Sequence, residues 1–130
     1  MAQNVKKDAV IGIFWETKAA EMGYLDAQYN LSVEYLDGVS VNKDFEKGIY
    51  WERLAADNGH RVAMFHLAIS ACNGERKNMT CEDGIQYLKR SAQQGFAPAK
   101  TTLGLQYLRQ NKKRETSVAL FCIDNAFAER

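Results

Sequence analysis

Residues 23–59 read GYLDAQYNLSVEYLDGVSVNKDFEKGIYWERLAADNG, and the small and apolar residues of this stretch recur at intervals of 36. Gly23, Gly59 and Gly95 keep that spacing, as do Ala27, Ala63 and Ala99, and Leu31, Leu67 and Leu103. Ala20, Ala56 and Ala92 follow it, and so do Gly12, Gly48 and Gly84, and Ile13, Ile49 and Ile85. Trp15 and Trp51 share a slot with Tyr87. Several series in one phase mark a repeat architecture, in which each unit buries its apolar face only against its neighbours. Such arrays bind other macromolecules over an extended surface and seldom carry a catalytic pocket.

Within each period the pattern predicts two helices, because no two-residue alternation of apolar and polar residues persists. One helix type ends in the small-residue pair, at about 8–22, 44–58, 80–94 and 116–129; the other follows the glycine, at about 25–37, 61–73 and 97–110. Gly23, Gly59 and Gly95 stand just past the end of a helical pattern, where a left-handed residue closes the last turn. The next helix begins so soon that the two must run antiparallel. Asp26 and Pro98 suit first turns, and Asp44, Thr80 and Thr116 suit N-caps. The alanines at 27, 63 and 99 put the smallest side chain where helices cross closely, with the leucines one turn on along the same face. Trp15, Trp51 and Tyr87 read as large fillers between units.

The totals bound the function. The 130 residues carry 17 Lys and Arg against 16 Asp and Glu, a formal net charge of +1, so no overall field steers nucleic acid or acidic ligands. No apolar run is long enough to span a membrane. The N-terminal MAQNVKKDAVIGIF imitates a signal segment weakly, but Glu16 and Lys18 follow at once and the stretch carries a repeat position. The expected location is cytoplasmic, the alternative being export if a signal was removed. Three cysteines, an odd number, suit reduced thiols, although Cys72 and Cys81 stand nine apart across a predicted loop and could meet. His60 and His66 are six apart, off one helix face, and neither stands at metal-ligand spacing from a cysteine. No phosphate loop or nucleophile motif appears, so neither enzyme activity, a cofactor nor a metal is expected.

These residues resemble the Sel-one-like repeat, a variant of the tetratricopeptide repeat. Ala27-Gln28-Tyr29-Asn30-Leu31-Ser32-Val33-Glu34-Tyr35 matches the family's Ala-x-x-x-Leu-Gly-x-x-Tyr, with Ser32 in place of glycine. Gly38-Val39-Ser40-Val41 resembles its loop. Asp44-Phe45-Glu46-Lys47-Gly48-Ile49-Tyr50-Trp51 matches Asp-x-x-Lys-Ala-x-x-Trp, with Gly48 for the alanine, and Ala55-Ala56-Asp57-Asn58-Gly59 closes the unit. The second unit departs most, with Ala71 for the tyrosine and a divergent loop at 73–80. The resemblance implies an all-α fold: a right-handed α-α superhelix, a tetratricopeptide-like solenoid of about seven antiparallel helices in roughly three and a half repeats. It forms one domain over 1–130, with units at about 8–43, 44–79 and 80–115 and a terminal helix at 116–129. Some relatives are disulfide-bonded, with a cysteine in each helix of a repeat. Cys72, Cys81 and Cys122 share no repeated position, so that feature is not carried over.

The resemblance implies a non-enzymatic adaptor that binds a protein or peptide partner, and no nucleic acid. In such folds the helix after the glycine lines the concave face. Its matched slots read Asn30, His66 and Thr102, then Glu34, Ser70 and Gln106, then Asp37, Asn73 and Arg109. They form one polar stripe that differs in every copy. Tyr29 and Phe65 could add aromatic anchors beside it, or pack between units. The end helices are more apolar than the interior ones. Val10, Ile11 and Phe14 stand where later copies are polar, and Val118 and Cys122 fill the same slots at the other end, a pattern that points to self-association. Two alternatives stay open: a bacterial immunity-type protein that neutralises a cognate toxin, and a fragment of a larger repeat scaffold.

Overall fold

The computed structural model describes residues 2–111, with side chains from 7 to 110. The described residues form an all-α repeat fold of six helices and no strand: α1 (Ala2–Glu21), α2 (Leu25–Asp37), α3 (Phe45–Asp57), α4 (Arg61–Cys72), α5 (Cys81–Gln93) and α6 (Ala97–Asn111). α1 starts earlier than the periodicity indicates, since Ala2–Lys7 contains no helix breaker. The expected helix at 116–129 lies outside the described residues, and with it Thr116, Val118 and Cys122.

Each glycine of the series closes its helix with the same pair of backbone bonds. The N–H of Gly23 donates to Ala20 O at 3.0 Å and that of Tyr24 to Ala19 O at 3.2 Å. Gly59 and His60 repeat this on Ala56 O and Ala55 O, and Gly95 and Phe96 on Ala92 O and Ser91 O. This is the Schellman closure, and the glycines take the left-handed φ it needs, at 95°, 99° and 89°. It fixes three-residue links between the paired helices. α3 is capped by Asp44, whose carboxylate accepts from the Lys47 N–H. α5 opens on a capping box in which Thr80 and Asp83 each satisfy the other's backbone N–H.

The chain divides into two compact units, the first running to Ala63 and the second beginning at Met64. In the first unit, α2 packs on α1 and α3 around Ala20, Ala27 and Leu31, with Ile13, Ala19, Tyr35 and Trp51 against them. Buried Gln28 ties this core together: its Nε2 donates to Ala20 O at 3.1 Å and its Oε1 accepts from Asn58. In the second unit the core is Ala68, Ile85, Leu88, Ala92, Ala99 and Leu103, flanked by Phe65, Tyr87, Phe96 and Tyr107. Burying each such leucine contributes roughly 1.5–3 kcal/mol.

Two expectations change. Trp15 is not a filler between units: it is 64% exposed and makes an edge-to-face contact with Phe14 on the same helix. The reduced state expected for the cysteines does not hold for Cys72 and Cys81, which are joined by a disulfide across the α4–α5 loop. The pairing follows from placement, since one closes α4 and the other opens α5.

Candidate functional site

In the first unit α1 and α2 leave a cleft between them, of about 520 Å³. Its walls are Ala9, Gly12, Ile13 and Glu16 from α1 and Tyr29, Asn30, Val33 and Glu34 from α2, with Ser40 from the following loop. The leucine and alanine slots of α2 turn inward to the core, so the polar positions 30 and 34 face away from it and into this space. The two acidic groups differ in how they are held. Asn30 Nδ2 donates to Glu16 Oε1 at 3.0 Å, bridging the two helices. Glu34 Oε2 is shut off from solvent and has no hydrogen-bond partner.

Tyr29 forms part of the wall and is fixed from behind. Its ring stacks on the imidazole of His60 at 4.7 Å between centroids. Burial raises the Tyr29 pKa above the usual phenol value, and the negative charges of Glu52 and Asp37 raise it further.

The predicted polar stripe is distributed as follows. Asn30 and Glu34 share the cleft; Asp37, the last residue of α2, is exposed outside it. In the second unit His66 and Asn73 are exposed near α4 and Ser70 is half-buried. Thr102 and Gln106 are half-buried on α6, and Arg109 is exposed. Partial burial of the His66 ring lowers its pKa below the ordinary histidine value. A second cleft of about 460 Å³ opens in this unit among Cys81, Glu82, Ile85, Gln86, Lys89, Tyr107 and Gln110, and no stripe residue lines it. Phe65 packs edge-to-face on Phe96 at 5.6 Å and serves the core. The apolar residues singled out on α1 are on the surface: Val10, Ile11 and Phe14 are each about half exposed or more. Sequence reasoning named Asn30 and Glu34 for a polar stripe and offered Tyr29 as an aromatic anchor beside it, but it did not bring in Glu16 or the stacking role of His60. The recurrence of Glu16 as Glu52 in the next copy was the one available signal.

Among the described residues, no three His, Cys, Asp or Glu side chains gather in a way that would hold a metal ion, and no helix is long and apolar enough to cross a membrane.

Paired helices of this length, joined by Schellman glycines at a 36-residue interval, define an α-helical repeat protein. The Sel1 repeat model matches residues 2–24, 25–60 and 61–96, and the chain belongs to the Sel1 repeat family. The full matched units begin with α2 and α4, at the helix after each glycine. The crystal structure of a Sel1 repeat protein from Oxalobacter formigenes is similar in fold, with a TM-score of 0.71 at 24% identity over 91% of this chain and 90% of that one. A sequence comparison with curated proteins finds no match. Sel1 repeats generally mediate protein–protein interaction and are typically non-catalytic scaffolds.

Proposed function

We propose that this chain is a non-enzymatic interaction module that binds a protein partner through the polar positions of α2, α4 and α6. The observation that supports this most is the α1–α2 cleft, which Asn30 and Glu34 line together with Glu16, the last held by the Asn30 amide. Positions that vary between copies while the packing residues stay fixed are what a recognition surface on a repeat scaffold requires. The test is an affinity capture from the native organism with the chain as bait, beside a variant carrying alanine at His66, Asn73 and Arg109 and a second variant carrying Asn30→Ala and Asp37→Ala. A stoichiometric partner weakened by either variant is expected. A partner indifferent to both removes the polar positions from the reading.

Self-association is a second reading, favoured by the exposed Val10, Ile11, Phe14 and Trp15 on α1. Molar mass measured across a concentration series checks it: a rise that Phe14→Ser abolishes is expected, and a strict monomer at high concentration rejects it. The Cys72–Cys81 bond favours export over the cytoplasm, because disulfides persist in oxidising compartments. Thiol labelling in intact cells decides that point.

A further inference from the structure

We propose that the α1–α2 cleft of the first unit receives a single lysine or arginine side chain from a basic peptide segment, its cationic head held between Glu16 and Glu34. The inference deepens the reading above and rests on it: the partner is a protein, and this is the chemistry that recognises it.

Volume comes first. At about 520 Å³ the cleft is an open groove with room for one side chain. Its charge is one-sided, with two carboxylates and no basic residue among the lining side chains. Those carboxylates differ in their state. Glu16 is already oriented by the Asn30 amide at 3.0 Å. Glu34 keeps one oxygen out of contact with both solvent and any donor. A carboxylate oxygen without a donor is a standing free-energy cost, and a charged N–H donor in the cleft relieves it once the Glu34 side chain turns that oxygen toward the guest.

The rest of the cavity suits a cation carried on an aliphatic stem. Ile13 and Val33 offer apolar wall beside the acids, and lysine and arginine lay their methylenes along such surface while the head reaches polar groups. An anionic guest would meet both carboxylates uncompensated. An apolar guest would bury Glu34 more deeply and supply no donor. His60 keeps Tyr29 in place by stacking, so the wall exists before any guest arrives.

The test separates charge from shape. The ¹⁵N-labelled chain is titrated with acetyl-Gly-Arg-Gly-amide, its lysine counterpart, and the neutral citrulline analogue. Saturable shifts at the amides of Ile13, Asn30 and Val33 are expected with the first two, and binding about tenfold weaker with citrulline. Glu34→Gln is near-isosteric and removes the orphaned charge, so it should melt no lower than the parent while losing about tenfold in affinity for the arginine peptide. Glu16→Gln serves as the second variant and should weaken binding in the same sense. Equal binding of the arginine and citrulline peptides, shifts that map elsewhere, or undiminished binding by both variants would overturn the proposal. The capture experiment is run in parallel with Glu34→Gln as bait. If it retains the partner in full, the cleft inference fails and the interaction reading stands. If the parent chain captures nothing while the arginine peptide still binds in the cleft, the interaction reading fails and the cleft is retained as a cation site.

Discussion

The imidazole of His60 lies nearly parallel to the ring of Tyr29, at 14° and 4.7 Å between centroids. The same imidazole closes two further contacts. Its Nδ1 accepts the Ala63 N–H at 3.1 Å, which caps the first turn of α4, and its Nε2 stands 3.2 Å from Asp26 Oδ1 on α2. Because Nδ1 is an acceptor, the proton belongs on Nε2 and is donated to Asp26. One side chain therefore starts a helix and fixes the helix that precedes it by a whole unit of α2 and α3.

His60→Ala removes cap and stack together, and a loss of about 1–2 kcal/mol is expected by urea unfolding. His60→Asn restores an acceptor for the Ala63 N–H but no ring, so about half of that loss should return. If the alanine variant unfolds at the parent midpoint, the imidazole has no structural role.

The Cys72–Cys81 bond closes a loop of sequence separation 9 in the unit whose loop departs most from the repeat pattern. Restricting that loop in the unfolded chain contributes roughly 2–3 kcal/mol on the chain-entropy account. Unfolding of oxidised and reduced protein, compared at one pH, should differ by that amount, with the oxidised form more stable. Identical midpoints would mean that the turn at Gly74 and the Thr80–Asp83 box already specify the loop.

Much of this molecule is legible in its sequence, and the reason is physical. The interval between Gly23, Gly59 and Gly95 reports backbone geometry, because the left-handed turn and the small pair before it are both local. Asp44 and Thr80 are readable as caps for the same cause. What escapes is chemistry between elements. Gln28 and Glu52 are buried polar residues that no periodic rule marks as inward. Glu16 joins the candidate site only because Asn30 reaches it across the α1–α2 packing. Trp15 repeats the slot of Trp51, yet the first sits in solvent and the second packs on the Leu31 core, so identical sequence slots acquire different surroundings.

His66 gives a prediction in pH. Partial burial of its ring disfavours the imidazolium, so its folded pKa lies below 6.5. The neutral form then contributes stability that is fully present above the unfolded value. That contribution is lost as pH falls through the depressed folded value. A ¹H–¹⁵N titration should place the His66 midpoint below 6.5, and the stability difference between parent and His66→Gln should shrink on acidification. A midpoint at or above the ordinary value would show that burial does not govern the titration of this ring.

The glycine slot at 12, 48 and 84 offers the sharpest contrast, since one substitution has three expected outcomes. A Cβ at Gly48 would fall 2.6 Å from Cγ and Cδ2 of Leu36, where α3 crosses α2. At Gly84 it would meet Ala68 O and Ala71 Cβ, both at 3.0 Å, where α5 lies on α4. At Gly12 it would meet nothing within 4 Å. Replacing a helix-interior glycine by alanine stabilises by up to about 1 kcal/mol through propensity, whereas overpacking a close crossing costs about 1–3 kcal/mol. Gly12→Ala should therefore raise stability by nearly the full propensity gain. In Gly84→Ala the two effects should come close to cancelling, because the contacts are tight without overlapping deeply. Gly48→Ala should lose about 1–2 kcal/mol, since Leu36 must change position within a packed interface. Denaturant midpoints for the three variants test the order. Were Gly48→Ala to stabilise as much as Gly12→Ala, the approach of α3 to α2 would have to be looser than these distances, and the glycine would owe its place to something other than packing.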